Sequence, residues 1–331
     1  MRVLVTGSNG LVGTKVLERL LRDANTEPLG AYHQARDNAY LGAFPWWTLD
    51  ITDPANIERV LDESRPDAVV HTAAFTNVDD AERQRERAQV LNAAAPGHVA
   101  RACAARGIRL VHLSTEYVFD GAAGPYRETD PINPHGWYAE TKAAGEQAVM
   151  NVGDAVGDAA GVGDPTGVVG ATGVVGATGA GASWAVARTT VVYGYAPHVR
   201  ANFVLWLVGK LRAGERVRII DDQIGSPTLA ENLADMVLAL AGSRENGIFH
   251  TAGADVISRL AFSQQVAATF GLDASLIDAT TTDKLGQLAP RPLKAGLVMD
   301  RFRAAFPTVP VVSVADGLAV VKEQFARAGL L

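Results

Sequence analysis

Short apolar runs alternate with segments in which apolar residues recur every three or four positions. The first run, Arg2–Thr6, predicts a buried strand, and the segment 11–22 that follows has the spacing of an amphipathic helix. Further apolar runs predict strands at 29–32, 68–71, 109–114, 184–190 and 247–250. Helical spacing predicts helices at 54–61, 89–106, 137–150, 202–213, 229–241 and 259–270.

Two of these helices carry a clear start signal, because Asp53 precedes Pro54 and Ser258 precedes the last one. Strands that alternate with helices through short connections form a parallel sheet with right-handed crossovers. We therefore predict an α/β protein with a doubly wound parallel (Rossmann) sheet. Residues 1–150 would form the dinucleotide-binding half. Residues 184–331 mix helices and short strands differently and would add the last sheet strands and a smaller α/β substrate lobe.

Residues 151–183 interrupt this pattern. The stretch is rich in glycine, has no Lys or Arg, and repeats VVGATG at 168–173 and 174–179. Such a composition loses much backbone entropy on folding and offers little apolar surface to bury. We expect a flexible surface insertion, placed in a connection that tolerates extra length.

Composition excludes several classes of partner. The chain has 331 residues, 48% of them hydrophobic, and a formal net charge of −6. This balance and the lack of Lys/Arg-rich runs argue against nucleic-acid binding. We find no signal segment and no apolar run long enough to span a membrane, so a cytoplasmic protein without a membrane partner is expected. The single cysteine, Cys103, fits a reducing compartment.

A glycine-rich turn joins the first strand to the first helix. Gly7, Gly10 and Gly13 stand three residues apart. They suit a tight turn, close approach of a pyrophosphate and close helix–strand packing, while the helix N-terminus attracts the anion. The pattern predicts a nicotinamide dinucleotide at this turn. The predicted contacts are Gly7, Asn9, Gly10, Leu11, Val12 and Gly13.

The end of the second predicted strand bears on the choice of dinucleotide. A carboxylate there would bind the adenine ribose and favour NAD, but Tyr32, His33 and Gln34 carry none. Arg36 is a candidate for binding a 2′-phosphate, which favours NADPH. Asp37 keeps NADH open as the alternative.

Tyr138 and Lys142 lie four residues apart on a predicted helix and therefore share one face. A neighbouring ammonium favours a phenolate, so Lys142 is expected to lower the pKa of Tyr138 towards neutrality. Ser114 and Thr115 end a strand at the edge where open α/β sheets bind ligands. Together these residues predict acid–base chemistry at a carbonyl.

The glycine turn, Ser114-Thr115 and the Tyr138/Lys142 pair resemble the extended short-chain dehydrogenase/reductase superfamily. Two further motifs, STEYVFDG at 114–121 and DDQIGSPT at 221–228, resemble the dTDP-4-dehydrorhamnose reductases within it. The similarity extends to 73–74, 78–82, 188–194, 202–204 and 291–292. It covers the chain apart from the glycine-rich stretch and implies NADPH-dependent reduction of the 4-keto group of a nucleotide-linked deoxysugar.

The resemblance implies a role for each matching residue. Tyr138 would protonate the carbonyl oxygen, Lys142 would bind the nicotinamide ribose, and Thr115 would hydrogen-bond the substrate oxygen. Asp50 and Ile51 would lie beside the adenine. The remaining implied contacts are Ala73 and Ala74 in the cofactor cleft, and Glu116, Asn202, Gln223 and Arg291 on the sugar nucleotide.

Two departures from the family pattern are visible, since Glu116 replaces the usual Asp and Val191 replaces a frequent Trp.

Two alternatives stay open: a non-catalytic NADP-binding subunit like the regulatory subunit of methionine adenosyltransferase, and an NAD-dependent epimerase. A 4,6-dehydratase would need two adjacent carboxylates, but Tyr117 follows Glu116. No Cys/His/carboxylate cluster predicts a metal site. A homodimer is compatible with the resemblance.

Overall fold

The computed structural model describes residues 1–34, 41–159 and 182–330. Its strands are β1 (Arg2–Thr6), β2 (Glu27–Tyr32), β3 (Trp46–Thr48), β4 (Ala68–His71), β5 (Arg109–Thr115), β6 (Trp184–Thr189), β7 (Val192–Tyr193), β8 (Val217–Ile220), β9 (Ile224–Gly225), β10 (Thr228–Leu229), β11 (Gly247–His250), β12 (Ile257–Ser258) and β13 (Ile277–Thr280). Its α-helices are α1 (Leu11–Leu20), α2 (Pro54–Ser64), α3 (Val78–Arg83), α4 (Arg85–Gln89), α5 (Ala95–Ala104), α6 (Trp137–Ala159), α7 (Phe203–Arg212), α8 (Ala230–Ala241), α9 (Arg259–Phe270), α10 (Asp300–Ala305) and α11 (Val314–Arg327).

Seven strands form one parallel sheet in the order β3-β2-β1-β4-β5-β6-β11. Strand order reverses between β1 and β4, which is the switch point where doubly wound sheets open a crevice for ligands. The sheet confirms the predicted doubly wound α/β fold.

Helices cover both faces of this sheet because its strand residues are apolar on both sides. Val3 and Val5 of β1 pack with α1 and α8 on one face. Leu4, whose side chain points the opposite way, packs with α2 and α5 on the other. Two buried layers therefore hold the carboxyl ends of the strands in fixed register.

The C-terminal part forms a smaller α/β lobe with its own core. Helices α7, α9 and α11 pack together around buried Leu207, Phe262 and Leu318. Three two-stranded pairings, β7 with β10, β9 with β12 and β8 with β13, frame this lobe. Strand β11 returns to the main sheet, so the lobe is anchored to the sheet edge. Within the described ranges, no helix combines the length and the apolar character that a membrane span requires.

The predicted helix ending at residue 150 continues to Ala159. Val152 packs on the core behind the sheet, and Trp184 covers the helix so closely at Gly153 that a Cβ there would overlap its ring. These contacts extend the helix into the sequence that we expected to be an insertion. The rest of that expected insertion, residues 160–181, lies outside the described residues.

One predicted helix, 89–106, is interrupted. Residues Val90–Ala94 form a π-helical turn between α4 and α5. Asn92 in this turn accepts a hydrogen bond from Phe75 N at 2.8 Å and donates to Phe75 O at 3.0 Å. Its carbonyl oxygen faces Gly145 of α6, where a Cβ would lie only 2.1 Å away. The turn therefore lets α6 approach closely, as π-turns often do near functional sites.

Candidate active site

The glycine turn is built so that a dinucleotide phosphate can approach the backbone. Gly7 has a φ of 66°, and a Cβ there would lie 2.8 Å from the Ala73 backbone. A Cβ at Gly13 would lie 2.5 Å from Gly7 O. Gly10 caps α1 without any side-chain hydrogen bond, so the first N–H groups of the helix remain available to an anion.

This turn opens into a cavity of about 1160 Å³ at the carboxyl edge of the sheet. The cavity has room for a dinucleotide and a second ligand. Most of the predicted site residues line it. They are Gly7, Asn9, Gly10, Leu11, Val12, Gly13, Asp50, Ile51, Ala73, Ala74, Thr115, Glu116, Tyr138, Lys142 and Asn202.

Lys142 lies one helical turn after Tyr138 on α6, as predicted, and its ammonium is held by the sheet. Its Nζ donates a hydrogen bond to Leu113 O of β5 at 2.8 Å. Burial lowers the pKa of Lys142 to about 8, and the Glu146 carboxylate partly opposes this shift. Lys142 therefore begins to lose its charge just above neutral pH.

The pKa of Tyr138 departs from the expected direction. Burial and the nearby Glu116 carboxylate raise it well above the usual value for a phenol, and a hydrogen bond with Thr115 opposes the shift only in part. The Lys142 ammonium donates to Leu113 O and does not contribute to the shift of this pKa. The phenol consequently holds its proton at neutral pH, which suits a proton donor.

Thr115 and Glu116 form a hydroxyl–carboxylate pair beside this phenol. Thr115 Oγ1 donates to Glu116 Oε2 at 2.7 Å, and Thr190 Oγ1 donates to Glu116 Oε1 at 2.8 Å. Tyr117 packs edge-on against the Tyr138 ring at 5.3 Å between centroids. Burial raises the pKa of the Glu116 carboxyl, although both hydroxyl hydrogen bonds lower it. Both oxygens of the Glu116 carboxyl are therefore held in place, and burial and the two hydrogen bonds act on its pKa in opposite directions.

Two predicted contacts line the cavity while also making structural bonds. Asp50 Oδ1 accepts hydrogen bonds from Thr52 N at 2.9 Å and Thr52 Oγ1 at 2.7 Å, which lower the pKa of its carboxyl. Asn202 caps α7, accepting from Val204 N at 3.1 Å and donating to Gly194 O at 2.7 Å. Ligand contacts by Asn202 would have to share its amide with these bonds.

Two predicted contacts do not line the large cavity, and a third lies outside the described residues. Gln223 lines a small adjoining chamber of about 30 Å³, which shares Glu116 and Thr190 with the large cavity. Arg291 pairs with Asp79 at 2.9 Å and donates to Ala289 O at 3.0 Å, so its guanidinium fastens a loop to α3. Arg36 lies outside the described residues, and its predicted contact with a 2′-phosphate stays a prediction.

Comparison with known proteins gives a consistent result. The RmlD substrate binding domain family matches residues 1–156 and 163–320. A dTDP-4-dehydrorhamnose reductase of Mycobacterium tuberculosis is 35% identical over 297 residues, which cover 88% of this chain and 82% of the relative. The chain belongs to the RmlD family.

Solved structures of such reductases share the fold. The Clostridium acetobutylicum dTDP-4-dehydrorhamnose reductase aligns with a TM-score of 0.80 at 25% identity, covering 98% of this chain and 100% of that one. The Bacillus anthracis dTDP-4-dehydrorhamnose reductase, solved in complex with NADP, aligns with a TM-score of 0.77 at 26% identity and covers 98% and 99% of the two chains. The resemblance seen in the sequence is confirmed.

The cavity of this RmlD-family protein also contains residues that the sequence did not single out. Arg87 lies over the Phe75 ring at 5.6 Å, and Arg200 precedes α7; both line the cavity and add positive charge. Val191, already noted as a departure from the family pattern, also lines it with a φ of 43°, a strained conformation for a β-branched residue. Arg87 lies on a charged helix face and Arg200 in a loop, and neither position gives a periodic signal in the sequence.

Two buried histidines lie beneath the reactive residues. His71 and His112 are neighbours on β4 and β5, and their rings stack at 5.4 Å between centroids. His71 shares a hydrogen bond with Thr6 at 2.8 Å, whereas neither ring nitrogen of His112 has a partner among the described residues. Burial and the Lys142 charge lower the pKa of His71 to about 3 and that of His112 well below its usual value. Both rings are therefore neutral at physiological pH.

Proposed function

We propose that this RmlD-family protein reduces the 4-keto group of a dTDP-linked deoxysugar with NADPH. One observation carries the proposal. Thr115, Tyr138 and Lys142 line the same cavity as the glycine turn, in a chain related to dTDP-4-dehydrorhamnose reductases over most of its length. A carbonyl between the cofactor and Tyr138 would meet a proton donor and a hydroxyl together.

The cavity fits a phosphorylated dinucleotide. The glycine cradle would admit the pyrophosphate, since any Cβ at Gly7 or Gly13 would fill the space the turn leaves. At the end of β2, His33 and Gln34 line the cavity, and among the residues described there none is a carboxylate. NADP in the Bacillus anthracis relative supports the phosphorylated form. Arg36 remains our candidate for binding the 2′-phosphate.

The residues then divide the chemistry among themselves. When bound, the dihydronicotinamide supplies a hydride to the carbonyl carbon. Tyr138 holds its proton at neutral pH and donates it to the carbonyl oxygen. Lys142 is held by Leu113 O at the same edge, where its ammonium would bind a ribose hydroxyl of the cofactor. Arg200 and Asn202 stand at the α7 side of the cavity, where we place the sugar nucleotide.

The test is oxidation of NADPH by purified protein supplied with a dTDP-4-keto-6-deoxy sugar. We expect rapid oxidation that Tyr138→Phe reduces by about 100-fold or more. Tyr195→Phe is the matched control, because Tyr195 packs on Phe325 in the C-terminal lobe and should retain full activity. Protein that binds NADPH but oxidises none with any such sugar would contradict the proposal and support a regulatory NADP-binding subunit.

A further inference from the structure

A small side chamber adjoins the large cavity next to the reactive residues. Its volume is about 30 Å³, and Glu116, Tyr117 and Val191 line both spaces, so the chamber branches from the large cavity. The Tyr117 ring also packs against the Tyr138 ring, with 5.3 Å between the centroids. A sugar that presents its carbonyl to Tyr138 would therefore bring a neighbouring substituent to the entrance of this chamber.

Two side chains with hydrogen-bond donors line the chamber. Arg259, at the start of α9, lies over the Phe203 ring at 4.8 Å, and its guanidinium makes no ion pair or hydrogen bond with the described residues. Gln223 Nε2 is buried and has no hydrogen-bond partner in the same part of the chain. The two residues are held side by side, because Arg259 N donates to Gln223 O at 2.8 Å. The chamber therefore offers donors that an oxygen atom of a ligand would satisfy.

The charge and the size of the chamber favour a hydroxyl group. Arg259 and Glu116 carry opposite charges at its wall, so an anionic substituent would be attracted by one and repelled by the other. A neutral hydroxyl accepts hydrogen bonds from the guanidinium and the amide, and it is about as large as the single water molecule that this volume holds. A methyl group in the same place would leave both donors without an acceptor, which is costly.

A 6-deoxyhexose with a keto group at C4 has two substituents next to that carbonyl, a hydroxyl on C3 and a methyl on C5. The donors of the chamber match only the hydroxyl. Resting on the reductase activity proposed above, we propose that Arg259 and Gln223 bind the C3 hydroxyl of the sugar and make the enzyme selective for substrates that carry it. Arg259 is thus a specificity-determining residue, because it contacts the sugar beside the carbonyl that reacts.

The test compares kcat/KM for NADPH oxidation with three substrates, a dTDP-4-keto-6-deoxyhexose and its 3-deoxy and 2-deoxy counterparts. Wild type should prefer the parent sugar over the 3-deoxy sugar by about 100-fold or more, because the 3-deoxy sugar leaves buried donors unpaired. The 2-deoxy sugar keeps the C3 hydroxyl, so its kcat/KM should stay within about tenfold of the parent value.

Arg259→Met removes the guanidinium and keeps an unbranched apolar side chain against Phe203. It should lower kcat/KM for the parent sugar by about 10- to 100-fold and change the value for the 3-deoxy sugar by less than about threefold. Such a split identifies a contact with the hydroxyl, because a structural fault would lower both values equally. Arg218→Met is the matched control, since Arg218 is exposed on β8 of the same lobe and its loss should leave all three values unchanged.

Several results would overturn this assignment. Equal kcat/KM values for the parent and 3-deoxy sugars in wild type, or a preference that Arg259→Met leaves intact, would refute the contact with the C3 hydroxyl. Discrimination against the 2-deoxy sugar alone would refute it as well, because a different hydroxyl would then be recognised. If Arg259→Met fails to fold, Gln223→Leu should reduce the same preference, and an unchanged preference would refute the proposal.

A wild-type enzyme that reduces none of these sugars would contradict the proposed function instead. Calorimetric titration with the parent and 3-deoxy sugars would then test the chamber separately. Tighter binding of the parent sugar would support the contact with the C3 hydroxyl, and equal affinities would refute it.

Discussion

Lys142 should make the protein less stable at neutral pH than an apolar residue would. Its side chain is 3% exposed, and its pKa falls from an ordinary 10.5 to about 8. Each pKa unit corresponds to about 1.36 kcal/mol, so keeping Lys142 charged in the folded state costs about 3 kcal/mol at pH 7. Lys142→Met removes this cost. It also removes the hydrogen bond to Leu113 O, which is worth about 1 kcal/mol.

The sign of the pH dependence follows from the direction of this shift. Below about pH 8, Lys142 is protonated in the folded and unfolded states, and the full cost applies. Between about 8 and 10.5 the unfolded chain binds more protons at this position, so wild-type stability gains with rising pH relative to the variant. His71 and His112 are neutral throughout this window, so they do not add to the difference.

The assay is urea denaturation of wild type and Lys142→Met across this pH range. We expect the variant to be more stable by about 1 to 2 kcal/mol at neutral pH, with this advantage lost as the pH approaches 10. Activity should be lost in the variant at every pH. A difference in unfolding free energy that stays constant with pH would refute the reasoning, because it would mean that Lys142 titrates near its ordinary pKa.

Three further predictions follow from individual contacts. Glu146→Gln removes the carboxylate that raises the pKa of Lys142, and it leaves the buried Arg188 without its partner at 2.6 Å. The alkaline limb of the kcat/KM profile should therefore move to lower pH, and the free energy of unfolding should fall by about 3 kcal/mol. An alkaline limb that does not move would refute the coupling between Glu146 and Lys142. Gly13→Ala places a Cβ 2.5 Å from Gly7 O. NADPH titration should therefore show weaker binding, and denaturation should show that the free energy of unfolding falls by about 1 to 3 kcal/mol. An unchanged affinity for NADPH would refute the assignment of the glycine turn to the cofactor. Arg291→Ala and Asp79→Asn should show a coupling energy of about 1 kcal/mol in a double-mutant cycle of the free energy of unfolding. The KM for the sugar nucleotide should change little in either variant. A large rise in that KM would mean that Arg291 contacts the substrate.

Local signals explain what the sequence could predict. The Asp53 side chain accepts a hydrogen bond from Ala55 N, and Ser258 accepts one from Ala261 N, so the two predicted helix starts are confirmed as side-chain caps. The glycine turn was predictable for a similar reason, because a Cβ at Gly13 would meet Gly7 O and Ser8 within the turn itself. Such features depend on residues close in sequence or on a repeating period.

Long-range contacts explain what it could not predict. Strand β3 has only three residues, and its pairing with β2 depends on the sheet already being formed. The π-turn around Asn92 depends on the approach of Gly145 from α6. Gln223 and Arg291 share motifs with sugar-nucleotide enzymes, yet their side chains reach a small chamber and Asp79, respectively. No pattern along the chain specifies which groups the end of a long polar side chain will contact.

The same long-range contacts set the direction of the chemistry. A tyrosine that acts as a base in alcohol oxidation must lose its proton before reaction, whereas one that acts as an acid in carbonyl reduction must keep it. Burial and Glu116 both raise the pKa of Tyr138, and burial lowers the pKa of Lys142. Glu116 therefore favours the protonated phenol. A carboxylate at position 116 thus contributes to reduction by holding the proton on Tyr138 before the reaction.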